Sequence, residues 1–144
     1  AGLAVPTKWD QFDRGFDFVL ADVPCTGSGT WRRQPERRWQ CDQNELAGLL
    51  ATQAKILRKT SALVRPGGFL AYMTCSLLQV ENMDQVSAFL EGAEEFDAVP
   101  LADWPGMSEQ FPLPHLRGQS WLQWSPHVDG TDGFFMALFK RRST

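Results

Sequence analysis

The sequence has few cysteines, no long apolar run and no excess of positive charge. Its three cysteines, Cys25, Cys41 and Cys75, are odd in number and lack Cys-x-x-Cys spacing, so neither a disulfide framework nor a zinc module is indicated. No stretch approaches the roughly 18 consecutive apolar residues of a membrane span, and no signal-peptide pattern opens the chain. We therefore predict a cytoplasmic protein with free thiols and no membrane partner. The net charge of −3 argues against a protein that coats nucleic acid without specificity.

What the sequence does contain is the alternation of strands and helices that is typical of an α/β domain. Its 144 residues, 43% of them hydrophobic, are enough for one core. The run FDFVLADV is nearly continuous in apolar residues, the pattern of a strand buried on both faces in a parallel sheet. We predict strands at 16–22, 69–74 and 97–101, followed by a terminal antiparallel pair at 120–124 and 134–140. We predict one helix from Asp42 to the RPGG at 65–68 and another from about Val80 to Gly92. Residues 103–119 are predicted to form an irregular connection.

Two cysteines follow the ends of predicted strands. Cys25 comes shortly after strand 16–22, and Cys75 comes directly after strand 69–74. Neighbouring parallel strands lie about 4.8 Å apart and end at the same edge of the sheet, where α/β proteins bind their ligands. We therefore expect the two thiols to lie side by side in one crevice, where either could act as a nucleophile. The alternative is that both are small packing residues, because cysteine is often buried.

A glycine-rich loop and an arginine-rich segment follow the first strand. Gly27 and Gly29 would let the backbone pass close to a nucleic acid, whereas a nucleotide phosphate loop is disfavoured because no Gly-Lys-Ser or Gly-Lys-Thr follows. The four arginines of this segment could contact RNA phosphates or could form a solvated surface run; they are Arg32, Arg33, Arg37 and Arg38.

Three sequence elements together resemble a known enzyme family. They are DVPCTGSGTWRRQPERRW, LVRPGGFLAYMTCSLLQVEN and DGTDGFFMALFKR, which match the patterns D-A-P-C-S-G-x-G, T-C-S-x-x-x-x-E-N and D-G-F-F. These patterns are similar to those of the RNA cytosine-5 methyltransferase family, which includes the bacterial 16S ribosomal RNA enzymes. The resemblance spans about residues 16 to 142. The chain departs from the pattern at Val23, where alanine is usual, and at Thr26, where serine is usual.

The resemblance implies a covalent mechanism with S-adenosylmethionine as cofactor and RNA, in the first place ribosomal RNA, as partner. In this family the cysteine of the T-C-S element, here Cys75, attacks carbon 6 of cytosine, and carbon 5 then takes the methyl group. The other cysteine, here Cys25, assists release of the product. Asp22 is expected near the methionine end of the cofactor. Candidate RNA contacts are Pro24, Arg32 and Arg33, and the resemblance makes Glu81 and Asn82 a supporting pair for the Cys75 loop.

The chain lacks one part that this family carries. Residues 1–15 contain no strand followed by a glycine-rich turn that could hold the cofactor. We therefore predict that 1–15 is an upstream linker or edge, and that 16–144 is the second half of a Rossmann-like methyltransferase domain whose cofactor-binding first half is absent. Such a fragment would be inactive alone, and strand 16–22 would be an exposed sheet edge through which the chain could self-associate.

Two other functions remain open at this point. In a DNA cytosine-5 methyltransferase the Pro-Cys cysteine is itself the nucleophile, and the second cysteine in T-C-S argues against that reading. A non-catalytic RNA-binding module could keep the same fold without turnover. The intact set of Asp22, Cys25 and Cys75 favours catalysis over that alternative.

Overall fold

The structure, a computed structural model, describes residues 14–104 and 119–143. Most of the predicted 1–15 segment and of the predicted irregular connection therefore lies outside the described residues. The strands are β1 (Phe16–Asp22), β2 (Val64–Thr74), β3 (Phe96–Ala98), β4 (Trp121–Trp124) and β5 (Phe134–Arg141), and the helices are α1 (Arg37–Gln40), α2 (Gln43–Ser61), α3 (Met83–Gly92) and α4 (Pro126–Asp129).

The five strands form one mixed sheet. Its order is β1-β2-β5-β3, and β4 also pairs with β5. β1 and β2 are parallel and joined through α2, whereas β5 runs antiparallel to β2, β3 and β4. The prediction of an α/β fold with parallel strands and a terminal antiparallel strand is thus confirmed, and β5 inserts between β2 and β3.

The long helix α2 begins where its sequence predicts. Asp42 is the N-cap, and its carboxylate accepts a hydrogen bond of 2.8 Å from the backbone N–H of Glu45. Buried side chains of α2 and α3, including Leu57 and Phe89, pack against Tyr72 and other residues on one face of the sheet. Both long helices therefore cover the same face.

The opposite face of the sheet is covered only in part within the described residues. A second cluster, which includes Leu101 and Trp104, packs over the β5 side of this face. On β1, Phe18 and Leu20 remain 53% and 52% exposed. The expectation that strand 16–22 is buried on both faces is therefore wrong for this chain, because the helices that follow β1 and β2 both lie on the other face.

Some element bounds differ from those that the sequence predicts. β2 begins at Val64 and includes the RPGG sequence, because the chain bulges there: Gly67 has a φ of +76°, and the pairing with β1 shifts between Phe16 and Phe18. The third strand, predicted at 97–101, is shortened to Phe96–Ala98. Across the described stretches, no helix has the length and apolar content needed to cross a membrane.

Candidate active site

The two cysteines meet at the carboxyl edge of the parallel strands. Asp22, the last residue of β1, is paired with Met73 near the end of β2, so both strands end at the same level. The Sγ atoms of Cys25 and Cys75 lie 3.3 Å apart although 50 positions separate them in sequence. This proximity is what the strand-end argument predicts, whereas the chemical role of each thiol stays a prediction.

The thiols are close enough to share one proton, which separates their pKa values. The hydrogen bond from Cys25, aided by the nearby positive charge of Arg37 and opposed by burial and the charge of Asp22, lowers the pKa of Cys75 to about 7. The same hydrogen bond, together with burial, raises the pKa of Cys25. The first proton lost from the pair therefore leaves Cys75 as the thiolate, the form that attacks carbon electrophiles.

Glu81 is a fully buried carboxylate that ties the two cysteine loops together. One of its oxygens, Oε1, accepts from the backbone N–H of Thr26 at 2.9 Å and from Nε2 of Gln53 at 3.0 Å. The other, Oε2, accepts from the hydroxyls of Thr26 at 2.6 Å and Ser76 at 2.5 Å. Thr26 and Ser76 each follow one of the two cysteines, so a single side chain sets the spacing of both loops.

Asn82 holds the Cys75 loop from the other side. Its amide oxygen accepts from the hydroxyl of Thr74 at 2.7 Å, and its amide nitrogen donates to the carbonyl of Ser76 at 2.9 Å. The hydroxyl of Tyr72 donates to the carbonyl of Glu81 at 2.6 Å. The structure thus has the Glu81-Asn82 pair in contact with the loop that the sequence motif associates with it.

Gln53 is a site residue that sequence reasoning missed. It lies on α2 with no exposed surface, and its Nε2 bridges the carbonyl of Pro24 at 3.0 Å and the carboxylate of Glu81. A signal for it existed, because Gln53 interrupts the apolar stripe that runs through Leu46 and Leu57 on the buried side of this helix. Pro24 contributes its carbonyl to this network.

The glycine loop packs closely against the turn that precedes β5. The N–H of Gly29 donates to the carbonyl of Cys75 at 3.0 Å, and the N–H of Gly133 donates to the carbonyl of Gly29 at 2.8 Å. A Cβ on Gly29 would stand 2.6 Å from the carbonyl carbon of Gly133. Gly29 is therefore required for a close approach within the chain itself, whereas the approach of this loop to RNA stays a prediction.

The predicted RNA-contacting arginines lie beside the same turn. The side chains of Arg32 and Arg33 are 68% and 62% exposed, and their Nη2 atoms lie 3.6 and 2.7 Å from the carboxylate of Asp132. They are solvent-accessible cations that share one acidic partner. Their contact with RNA stays a prediction.

Comparisons with known proteins agree with this architecture. A family model described as 16S rRNA methyltransferase RsmB/F matches residues 4–140. The chain is 38% identical over 135 residues to the ribosomal RNA small subunit methyltransferase B of Xanthomonas campestris, and 37% identical over 142 residues to the protein of that name from Klebsiella pneumoniae. The matches cover 94% and 96% of this chain but 28% and 29% of those proteins. The chain thus spans less than a third of the length of these curated relatives.

Solved structures share the fold. The crystal structure of PH0851 superposes with a TM-score of 0.72 at 37% identity, over 87% of this chain and 26% of that one. A methyltransferase homologue from Pyrococcus horikoshii gives a TM-score of 0.67 at 27% identity, over 92% of this chain and 41% of its own.

The mixed sheet and its similar structures define an α/β fold of the methyltransferase class. Within that class the chain belongs to the 16S rRNA methyltransferase RsmB/F family, because the family model covers nearly all of it. The resemblance noted in the sequence is confirmed.

Proposed function

We propose that this protein transfers a methyl group from S-adenosylmethionine to carbon 5 of a cytosine in RNA, with small-subunit ribosomal RNA as the substrate. One observation carries the proposal. The sulfur atoms of Cys25 and Cys75 lie 3.3 Å apart at the sheet edge where ligands of α/β proteins bind. Membership of the RsmB/F family supports RNA over DNA as the substrate.

The described residues fit the cofactor at one position. Asp22 ends β1 with an exposed carboxylate, close enough to Cys75 for its charge to raise the pKa of that thiol. A carboxylate there can accept a hydrogen bond from the ammonium group of the cofactor's methionine end. When bound, S-adenosylmethionine supplies the methyl group.

The chain's own residues account for the covalent steps. The Cys75 thiolate forms a bond to carbon 6 of cytosine, and the electron pair of the C5–C6 double bond makes carbon 5 nucleophilic. After methylation, a water molecule takes the proton from carbon 5, and the electron pair of that C–H bond restores the C5–C6 double bond as the bond between carbon 6 and sulfur breaks. Cys25, which holds its proton because its pKa is raised, lies 3.3 Å from the departing sulfur and assists this release.

We further propose that residues 16–144 are the second half of the catalytic domain and that the cofactor-binding half lies outside them. Two observations support this division. β1 is the terminal strand of the described sheet and carries exposed Phe18 and Leu20. The chain also spans less than a third of the length of the curated relatives. On this proposal the isolated segment binds cofactor poorly and is inactive alone.

Cysteine variants of the intact protein test the mechanism. With small-subunit ribosomal RNA and radiolabelled cofactor, we expect Cys75→Ala to abolish methylation. We expect Cys25→Ala to accumulate a covalent RNA–protein adduct that survives denaturing electrophoresis. Cys41→Ala is the matched control, because Cys41 contacts neither of the paired thiols in the described structure, and it should methylate like the wild type.

The same experiment separates the alternatives. A DNA-type mechanism, in which Cys25 is the nucleophile, predicts that Cys25→Ala forms no adduct. A non-catalytic RNA-binding module predicts binding of the RNA without methylation by the wild-type protein. Turnover by Cys75→Ala at the wild-type rate would contradict the proposed mechanism.

A further inference from the structure

The four arginines after the glycine loop have different surroundings. Arg32 and Arg33 both point at the carboxylate of Asp132. The guanidinium of Arg38 lies 5.5 Å from the centre of the Trp39 ring, at the distance of a cation–π contact. Each of these three cations thus interacts with a neighbouring side chain, either a carboxylate or an aromatic ring.

Arg37 differs from the other three. Among residues 14–104 and 119–143, its guanidinium forms no ion pair and no hydrogen bond. Its Nη1 atom lies 3.4 Å from the point where a Cβ on Gly27 would stand, and the Sγ atom of Cys75 lies 3.9 Å from that same point. Gly27 has a φ of +69° and no side chain to separate them. A guanidinium with unused donors therefore borders the space in front of the candidate nucleophile.

We propose that Arg37 is an RNA-binding residue of this site, and that its guanidinium donates to the phosphate on the 5′ side of the cytidine that Cys75 attacks. The inference rests on the proposed function and names a residue that positions its substrate. Carbon 6 is the atom of a pyrimidine ring that lies toward the 5′ phosphate of its own nucleotide. A sulfur atom placed for attack on carbon 6 is therefore close to that phosphate.

The chemistry of arginine suits this position. A guanidinium is charged at any working pH, and its planar donors match two phosphate oxygens at once. Arg32 and Arg33 would have to exchange a carboxylate for a phosphate, whereas Arg37 has no acidic partner to give up in the described structure. Its charge also acts on the thiol, because it lowers the pKa of Cys75.

The test uses the intact protein and two RNA oligonucleotides that each contain a single cytosine. One has a natural backbone, and the other carries an uncharged methylphosphonate on the 5′ side of that cytosine. Binding is measured by fluorescence anisotropy without cofactor. We expect the wild-type protein to bind the natural oligonucleotide about tenfold to a hundredfold more tightly, since a hydrogen bond to a charged group is lost with the other.

Arg37→Gln should bind both oligonucleotides equally. Arg38→Gln, the neighbouring cation that lies over Trp39, should keep the wild-type preference. A second readout is the rate at which iodoacetamide alkylates Cys75, measured as a function of pH. The pH midpoint of this rate should rise in Arg37→Gln and stay unchanged in Arg38→Gln. A role in folding alone would move neither the preference between oligonucleotides nor this midpoint.

The outcomes distinguish the two proposals. If the wild-type protein prefers the natural oligonucleotide and Arg37→Gln keeps that preference, the inference about Arg37 is overturned and the proposed function stands. A wild-type protein that binds both oligonucleotides equally also overturns the inference. If the wild-type protein binds neither and Cys25→Ala forms no adduct with ribosomal RNA, the proposed function fails and the inference fails with it.

Discussion

Replacing Glu81 tests whether this buried carboxylate sets the arrangement of the two cysteine loops. Its two oxygens receive different kinds of donor. Oε1 accepts from N–H groups of Thr26 and Gln53, which can only donate hydrogen bonds. Oε2 accepts from the hydroxyls of Thr26 and Ser76, which can rotate and act as acceptors instead. Alanine and glutamine at this position should therefore have very different costs.

The magnitudes follow from these contacts. Glu81→Ala leaves the two N–H donors buried without an acceptor, at about 1–3 kcal/mol each, so we expect the free energy of unfolding to fall by about 2–6 kcal/mol. In Glu81→Gln the amide oxygen can take the position of Oε1, and the amide nitrogen can donate to the two hydroxyls. We expect that variant to lose only about 1 kcal/mol, because every polar group keeps a partner.

Urea unfolding followed by tryptophan fluorescence measures both losses, with linear extrapolation to water. Glu91→Gln is the control, because Glu91 is exposed on α3 and should change the free energy of unfolding by less than about 0.5 kcal/mol. A loss below about 1 kcal/mol for Glu81→Ala, or equal losses for the two Glu81 variants, would refute the reasoning.

Three further predictions follow from the same structure. Gly29→Ala should lower the free energy of unfolding by at least about 2 kcal/mol in the same urea assay. The control Gly48→Ala, at an open helix position, should raise it by about 0.5–1 kcal/mol. Equal effects of the two substitutions would contradict the close packing of Gly29 against Gly133. Because the pKa of Cys75 is lowered to about 7, its alkylation by iodoacetamide should increase with pH through a midpoint near 7 while Cys25 stays protected, and mass spectrometry can follow both sites. The 144-residue chain should self-associate through the β1 edge in sedimentation experiments, and Leu20→Lys should reduce this; a monomeric wild type would contradict pairing through this edge.

Regular patterns in the sequence predict the main frame of this fold. The Asp42 cap, the apolar stripe of α2 and the two cysteines after strand ends are local signals, and each corresponds to a feature of the structure. The proximity of Cys25 and Cys75 is predictable because neighbouring parallel strands end at the same edge of the sheet.

Other features depend on contacts between distant segments and could not be predicted locally. Gly29 meets Gly133 only because β5 inserts beside β2, and the sequence contains no signal for that register. The special position of Arg37 depends on which of four similar arginines turns toward Gly27. The exposure of one face of β1 is not predictable from its apolar run, because such a run shows only that both faces are suited to burial. It does not show whether another element covers each face.

The contact between Gly29 and Gly133 also determines when this site can form during synthesis. The ribosome releases a chain from its N-terminal side, so the loop that carries Cys25 emerges about a hundred residues before the turn against which it packs. Until that turn and β5 arrive, the carbonyl of Gly29 lacks its N–H partner and β2 lacks its second neighbour. A nascent chain that stalls before residue 133 would therefore carry both thiols with the Glu81 links in place but without the β5 turn that packs against the Cys25 loop.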